Sequence, residues 1–503
     1  MTTIDVDADA PQGESTRLQR LSDALNPILL KEVRQAMRGR YFKYSFWFTL
    51  TVATLVGLSV LLVTMMNGDE DMLGPAFFIA IFACLALAAH VLVPFSAFLS
   101  MGGEWDENTW DLLVLSNLKP RQIVLGKVLS AGVQALLYYS AFGPFLVFAF
   151  LLRGVDVNIV LVTLAVSFVV SLLLSCLATA MSSLSRGRFA RVVLMVLLAV
   201  VLVWAAGGTV GWAATMVMQP GLMHDGEVQD AILGTLTIGL AVSSFFFAAA
   251  TARLAHEEEN RSTGLRLTAL VVLLVGLGWM MWTFWDSRQD DPMVAGAVLG
   301  FSVLGAASLL FATESERLGR RVEVTLPKSR LVAWLATPLY PGGARGLLFF
   351  IAGGLLITGW MYLFDFLNGS ADLERGEQLV PLVLLGYGIV FIGLPSGIFS
   401  WQSDSVGIRI AARISILVFF IASILLPALL GFLIGMDQWA EFEHPGNVFM
   451  VIDDLWSDRN VFGPYVFVLL FGVLLTLLVN APRLKKLVVE TRRATALSAK
   501  ERG

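Results

Sequence analysis

Two stretches of this 503-residue chain gather residue types suited to binding a surface or a partner. The first is Asn26-Pro27-Ile28-Leu29-Leu30-Lys31-Glu32-Val33-Arg34-Gln35-Ala36-Met37-Arg38. Asn26 suits an N-cap and Pro27 the first helical position. Leu29, Leu30, Val33, Ala36 and Met37 fall on one helical face, and Lys31, Arg34, Gln35 and Arg38 on the other. A short cationic amphipathic helix of this kind belongs at a membrane interface. The second stretch runs from Gly103 to Lys127. Glu104, Asp106, Glu107 and Asp111 gather at its start, and Lys119, Arg121 and Lys127 at its end. That order complements a helix dipole. Trp105, Trp110, Leu112 and Leu113 supply an apolar surface that would anchor a soluble partner or rest on headgroups. Pro120 should end this short helix and open the next.

Catalytic chemistry finds little support. Gly126-Lys127 is followed by Val128, and no glycine precedes it at the spacing of a phosphate-cradling loop. There is no cluster of His, Cys or paired carboxylates that would suggest a membrane enzyme, and no cofactor is implied. Cys84 and Cys176 sit inside apolar runs, as small packing residues rather than a disulfide. His90 and Asp365 are the clearest ionisable groups within apolar runs, whereas proton-coupled machines carry intramembrane relays. His90 reads as a hydrogen-bonded packing residue. Gly207 with Gly211, and Gly393 with Gly397, have the spacing that lets helices approach closely. The segment 436–462 holds Asp437, Glu441, Glu443, Asp453, Asp454 and Asp458 without EF-hand spacing, and reads as a solvated acidic loop.

These stretches must be positioned by membrane helices. The chain is 57% hydrophobic and 15% charged, with a mean hydropathy of +0.76. Soluble domains run near 45–50% apolar and about 25% charged. A soluble fold could not hide so much apolar surface. Runs long enough to span lie near 44–66, 76–100, 128–152, 157–181, 192–218, 231–252, 267–285, 293–312, 346–366, 379–400, 412–435 and 463–480. Unpaired amides are intolerable in hydrocarbon, so each run should be a helix. The expectation is an all-α polytopic membrane protein with about twelve spans. Its parts would be a cytoplasmic N-terminus (1–43) with the amphipathic helix, a six-helix region (44–252), a second six-helix region (253–480) and a basic tail (481–503). Residues 1–43 carry no cleavable apolar segment.

Lys and Arg set the orientation. With the N-terminus inside, 31 of the 35 fall in cytoplasmic segments, and only Arg153, Arg288, Arg375 and Arg459 fall outside. Both termini are then expected in the cytoplasm, in a bacterial inner membrane. No basic domain suggests nucleic acid.

The two stretches together resemble a known family, the permease subunits of ABC-2 type ABC transporters. That family often opens with an Asn-Pro-x-x-x-Lys-Glu-x-Arg helix, present here from Asn26 through Lys31 and Glu32 to Arg34, with Arg38 beyond. After its second span it carries a Glu-rich segment, then Gly-Thr-Leu-Glu-x-Leu, then Pro-x-x-x-Ile-x-x-Gly-Lys. Here Glu104 and Glu107 are followed by Asn108-Thr109-Trp110-Asp111-Leu112-Leu113, then Pro120, Ile123, Gly126 and Lys127. Asn108, Trp110 and Asp111 depart from the family pattern, and the resemblance covers roughly residues 20–250. It implies a permease driven by a separate ABC ATPase subunit, with the loop after span 2 as the coupling helix. Membrane lipids and a homodimeric or second permease partner fit the same reading. A secondary transporter or a non-transporting membrane scaffold are the alternatives.

Overall fold

A computed structural model of the chain describes residues 27–106, 119–152, 154–184, 188–255, 259–283, 291–316, 318–325, 327, 329–368, 377–402, 405–436, 444–456 and 462–501. Among these, 91% are helical and none lies in a strand. Twelve helices are long and apolar enough to cross a membrane. They are span 1, Arg40–Asn67; span 2, Leu73–Gly103; span 3, Pro120–Leu151; span 4, Val157–Ser183; span 5, Arg191–Met218; and span 6, Gly226–Leu254. Then follow span 7, Thr263–Thr283; span 8, Val294–Phe311; span 9, Gly343–Leu367; span 10, Val380–Phe399; span 11, Val406–Ile434; and span 12, Tyr465–Arg493. Every expected run is a helix, so this is an all-α polytopic membrane protein.

Backbone satisfaction explains much of the local detail. Hydroxyls inside spans donate to carbonyls of their own preceding turn, as Thr49 does to Ser45 at 2.8 Å and Thr358 to Gly354 at 2.8 Å. Span 2 contains a π-helical turn, Leu87–Leu92. Its Ala89 carbonyl accepts a 2.7 Å bond from Ser171 of span 4, so the irregular turn leaves that group paired in a dry setting.

The chain forms two compact units, Met1–Leu254 and Ala255–Gly503. In the first, span 1 packs on spans 2 and 3, and span 2 on spans 3, 4 and 5. Span 3 packs on spans 4 and 6, and span 4 on spans 5 and 6. In the second, span 7 packs on 8 and 9, span 8 on 9, 10 and 11, span 9 on 10 and 12, and span 10 on 11 and 12. The second set of pairs is the first with six added to every span number. The two units therefore share one packing order.

Spans 10 and 12 show how such a seam is made. A Cβ on Gly386, Gly393 or Gly397 would press into Leu469, Thr476 or Asn480, respectively. The constant offset along both helices makes them parallel, with small residues of one seated against side chains of the other. Gly207 and Gly211 of span 5 face open space instead, so the same spacing makes no contact there. Gly393→Leu should therefore destabilise the detergent-solubilised protein by about 1–3 kcal/mol through overpacking. Gly211→Leu should stay within about 0.5 kcal/mol of the parent. Thermal unfolding midpoints compare the two, and equal midpoints would argue against the seam.

Candidate functional site

The Pro27–Arg38 helix begins at Pro27 and ends before Gly39, and it packs against span 3. Lys31, Arg34 and Arg38 are exposed, as the amphipathic pattern requires. The buried face differs from the expected one, because its centre is Ile28 and Glu32, one turn apart, while Met37 is exposed. Ile28 lies on Gly126 of span 3. A Cβ at that glycine would come within 2.8 Å of the Ile28 Cγ2, so glycine is what lets this helix lie flat on span 3.

Glu32 points inward because its partners are there. Lys127 Nζ is 3.1 Å from Glu32 Oε1, and Ser100 Oγ donates to Oε2 at 2.8 Å. Lys127 also donates to Ser100 Oγ at 2.9 Å and to its carbonyl at 3.4 Å. Lys127 is 2% exposed and Glu32 7%. Three segments far apart in sequence meet at this link: the N-terminal helix, the end of span 2 and the start of span 3. Glu32 of the first sequence motif thus meets Lys127 of the second, and both meet Ser100, which sequence reasoning missed. Its only sequence signal is a hydroxyl near the end of an apolar run.

The loop between spans 2 and 3 is flanked by the two helices that this link joins. Glu104, Trp105 and Asp106 are the last residues of the Val93–Asp106 helix. They continue span 2 rather than starting a separate helix, since Gly102 and Gly103 do not interrupt it. The side chains of these three residues lie outside the described part, as do Asn26, Glu107, Trp110, Asp111, Leu112 and Leu113. Beyond the loop, Lys119 precedes the helix in extended conformation and its N–H donates to Gln122 Oε1 at 3.1 Å. Pro120 is the first helical residue, and Ile123 is buried at the first turn.

Deeper in the same unit, His90 is fully buried in the π-helical turn. Its Nε2 lies 3.0 Å from both the carbonyl and the hydroxyl of Ser167, and its Nδ1 lies 3.0 Å from Thr209 Oγ1. Tyr139 bonds the Ser167 hydroxyl at 2.6 Å. Spans 2, 3, 4 and 5 are tied at this node, and with both ring nitrogens engaged His90 serves as a packing residue.

The second unit holds a buried charge network that run-by-run reading assigned to loops. Arg266, fully buried, pairs with Glu314 at 2.7 Å, donates to the carbonyls of Pro338, Tyr340 and Gly342, and lies 5.0 Å from the Phe311 ring centroid. Glu314 accepts from the Gly342 amide at 3.1 Å, and Glu316 from the Ala344 amide at 3.1 Å. Both carboxylates thereby occupy the N-terminal end of span 9, where the helix dipole favours them. Arg483 of span 12 meets Glu316 at 2.6 Å and Asn480 Oδ1 at 2.8 Å. The acids at 314 and 316 directly after an apolar run were the available signal. Asp453 and Asp454 of the acidic segment lie on a short helix, Val448–Trp456, whereas Asp437, Glu441, Glu443 and Asp458 lie outside the described residues.

Removing one partner of a buried ion pair costs about 3–5 kcal/mol, more than the pair contributes, because the other charge stays behind. Lys127→Ala should therefore lower the unfolding midpoint far more than exposed Arg34→Ala. The pair Glu32→Gln with Lys127→Met should cost less than the sum of its singles, with a coupling of about 0.5–3 kcal/mol. Additive effects in this double-mutant cycle would show that the two residues act independently.

No protein-family model, no curated protein and no solved structure matches this chain, so the functional reading rests on the residues themselves.

Proposed function

We propose that this chain is the membrane-spanning permease subunit of an ATP-driven transporter of the ABC-2 type. A separate ATPase would dock at the cytoplasmic loop after span 2. The observation that carries this reading is the Glu32–Ser100–Lys127 link, which joins the two motifs by which the sequence resembles that family. A loop that receives force needs rigid connections to the elements it moves. Here the two helices that flank the loop and the Pro27–Arg38 helix share one buried contact. The acids at 104–111 would steer a basic partner surface, and Trp105, Trp110, Leu112 and Leu113 would anchor it. ATP chemistry would belong to the partner, since the chain lacks a phosphate-cradling loop. The permease would turn nucleotide-driven motion of the loop into a change between helix arrangements.

This reading places both termini in the cytoplasm of a bacterial inner membrane, on the strength of the 31-to-4 division of Lys and Arg. Cysteines introduced at Asp69, Gly226 and Asp372 should react with an impermeant reagent from outside. Those at Gly187, Asn260 and Arg320 should react only after the membrane is opened. Outside labelling at Arg320 would overturn the topology of the second unit.

The partner assignment has its own test. Truncating a buried interface aromatic commonly costs about 2 kcal/mol or more. Trp105→Ala with Trp110→Ala should weaken ATPase recovery in a pull-down by more than tenfold at equal membrane levels, since about 1.4 kcal/mol is a factor of ten. Glu107→Gln should mainly change the salt dependence of association. Equal ATPase recovery by parent and double variant would leave the loop as a helix resting on lipid and remove the ATPase reading.

A further inference from the structure

We infer that the corner between the Pro27–Arg38 helix and span 1 binds the headgroup of an anionic phospholipid through Arg34, Arg38, Arg40 and Lys43. Between positions 27 and 67 the basic residues are Lys31, Arg34, Arg38, Arg40 and Lys43, and the one acid is Glu32. Glu32 is turned inward and held by Lys127, so it offsets none of the outward charge. Gly39 is extended and breaks the helix between Arg38 and Arg40. The end of one helix and the start of the next therefore meet at this corner, with Arg34 and Arg38 on one side and Arg40 and Lys43 on the other. All four side chains are exposed, and among the described residues none of them meets a carboxylate.

Depth in the bilayer selects the occupant. Span 1 ends at Asn67, where Gly68 caps it in the left-handed conformation and the exposed Asp69 follows. Counting back from Asn67 by about 30 Å, the thickness of a hydrocarbon core at 1.5 Å per residue, reaches Trp47. Tyr44, Trp47 and Phe48 are exposed at that level, where amphipathic rings settle at the boundary between hydrocarbon and water. Lys43 then lies about 6 Å and Arg40 about 10 Å beyond the hydrocarbon. The headgroup layer takes up roughly 5–8 Å on each side, and long basic side chains reach along it.

The same face continues inward. Arg40, Tyr44, Trp47, Leu55, Leu58 and Leu62 share one stripe at helical spacing, and all are exposed. Read along the helix, the stripe is cationic, then aromatic, then aliphatic. Phosphate, glycerol and acyl chain follow one another in that order through a leaflet. A soluble acidic partner would match the cations and leave the rest of the stripe unmatched. Net charge decides among lipids. In a zwitterionic headgroup the amine offsets the phosphate, whereas each cation beside an anionic surface strengthens association by about fivefold. The corner binds such a lipid whether or not an ATPase partners the chain.

Photolabelling with two lipids tests this. The full chain is reconstituted in vesicles of phosphatidylcholine and phosphatidylglycerol. A trace of either phosphatidylglycerol or phosphatidylcholine carries a diazirine near the ester end of one acyl chain, and cross-links are mapped by peptide. The labelling ratio of the glycerol probe to the choline probe at positions 44–51 should exceed that at the exposed Leu425, Leu429 and Phe432 of span 11 by at least about fivefold. Changing Arg34, Arg38, Arg40 and Lys43 together to Gln should bring the two ratios level and leave the unfolding midpoint within the range of exposed substitutions. Arg34→Gln with Arg38→Gln leaves Arg40 and Lys43 to hold the orientation of span 1, and should lower the ratio by about threefold or more. Equal ratios in the parent would overturn the assignment, as would a preference that survives both sets of changes. Isolated cell membranes, given the same probes by vesicle fusion, should show the preference as well. A preference that appears there only after an alkaline wash would give the corner to an acidic peripheral protein and overturn the lipid.

Discussion

In hydrocarbon every backbone N–H and C=O must find its partner within the protein, and every other feature of this chain is arranged around that requirement. Twelve helices meet it for their own backbones. Where the helix is irregular, as at the π-helical turn of span 2, a hydroxyl from span 4 supplies the partner. The same medium removes the usual reason for helices to associate, because lipid is as apolar as leucine. Helices must instead be held by close approach and by polar contacts, and both are visible. The span 10 and span 12 seam uses glycines against Leu469, Thr476 and Asn480. The His90 node and the Arg266 and Arg483 networks use hydrogen bonds.

The buried charges follow from that logic. An unpaired charge among these helices would be prohibitively costly, so each must meet an opposite charge or several carbonyls. Arg266 does both, with Glu314 and three backbone oxygens. The Glu32–Lys127 pair is smaller but has a different consequence. It ties the N-terminal helix to the two helices that flank the loop after span 2. Buried pairs are poor sources of net stability against an apolar replacement. Their value here is geometric, since they fix which segments meet.

The repetition of one packing order in two units shows which features belong to the fold and which to each unit. Hub spans 4 and 10 hold the same place in their units. The polar details differ: a histidine node binds spans 2 and 5, whereas spans 8 and 11 meet only briefly beside an apolar groove. The N-terminal Pro27–Arg38 helix belongs to the first unit, and the second has instead the short helices Arg320–Thr325 and Arg330–Ala336 between spans 8 and 9.

The sequence by itself determined the fold class and the twelve spans, because length and hydropathy are local properties and hydrocarbon enforces the helix. It also determined where helices begin at Pro27 and Pro120, since proline acts on its own turn. What it could not assign was the partner of each inward-facing polar group. Glu32 reads as one more charge on a surface helix, and only tertiary structure places it against Lys127, 95 residues away. Two glycine pairs of identical spacing look alike, yet Gly393 and Gly397 meet a neighbour while Gly207 and Gly211 meet none. Arg266 and Glu314 sit at the ends of apolar runs, where a count by segment assigns them to loops. Their burial together depends on spans 7, 8 and 9 converging at one end. Pairing across helices is decided by which helix lies beside which, and no single run carries that information.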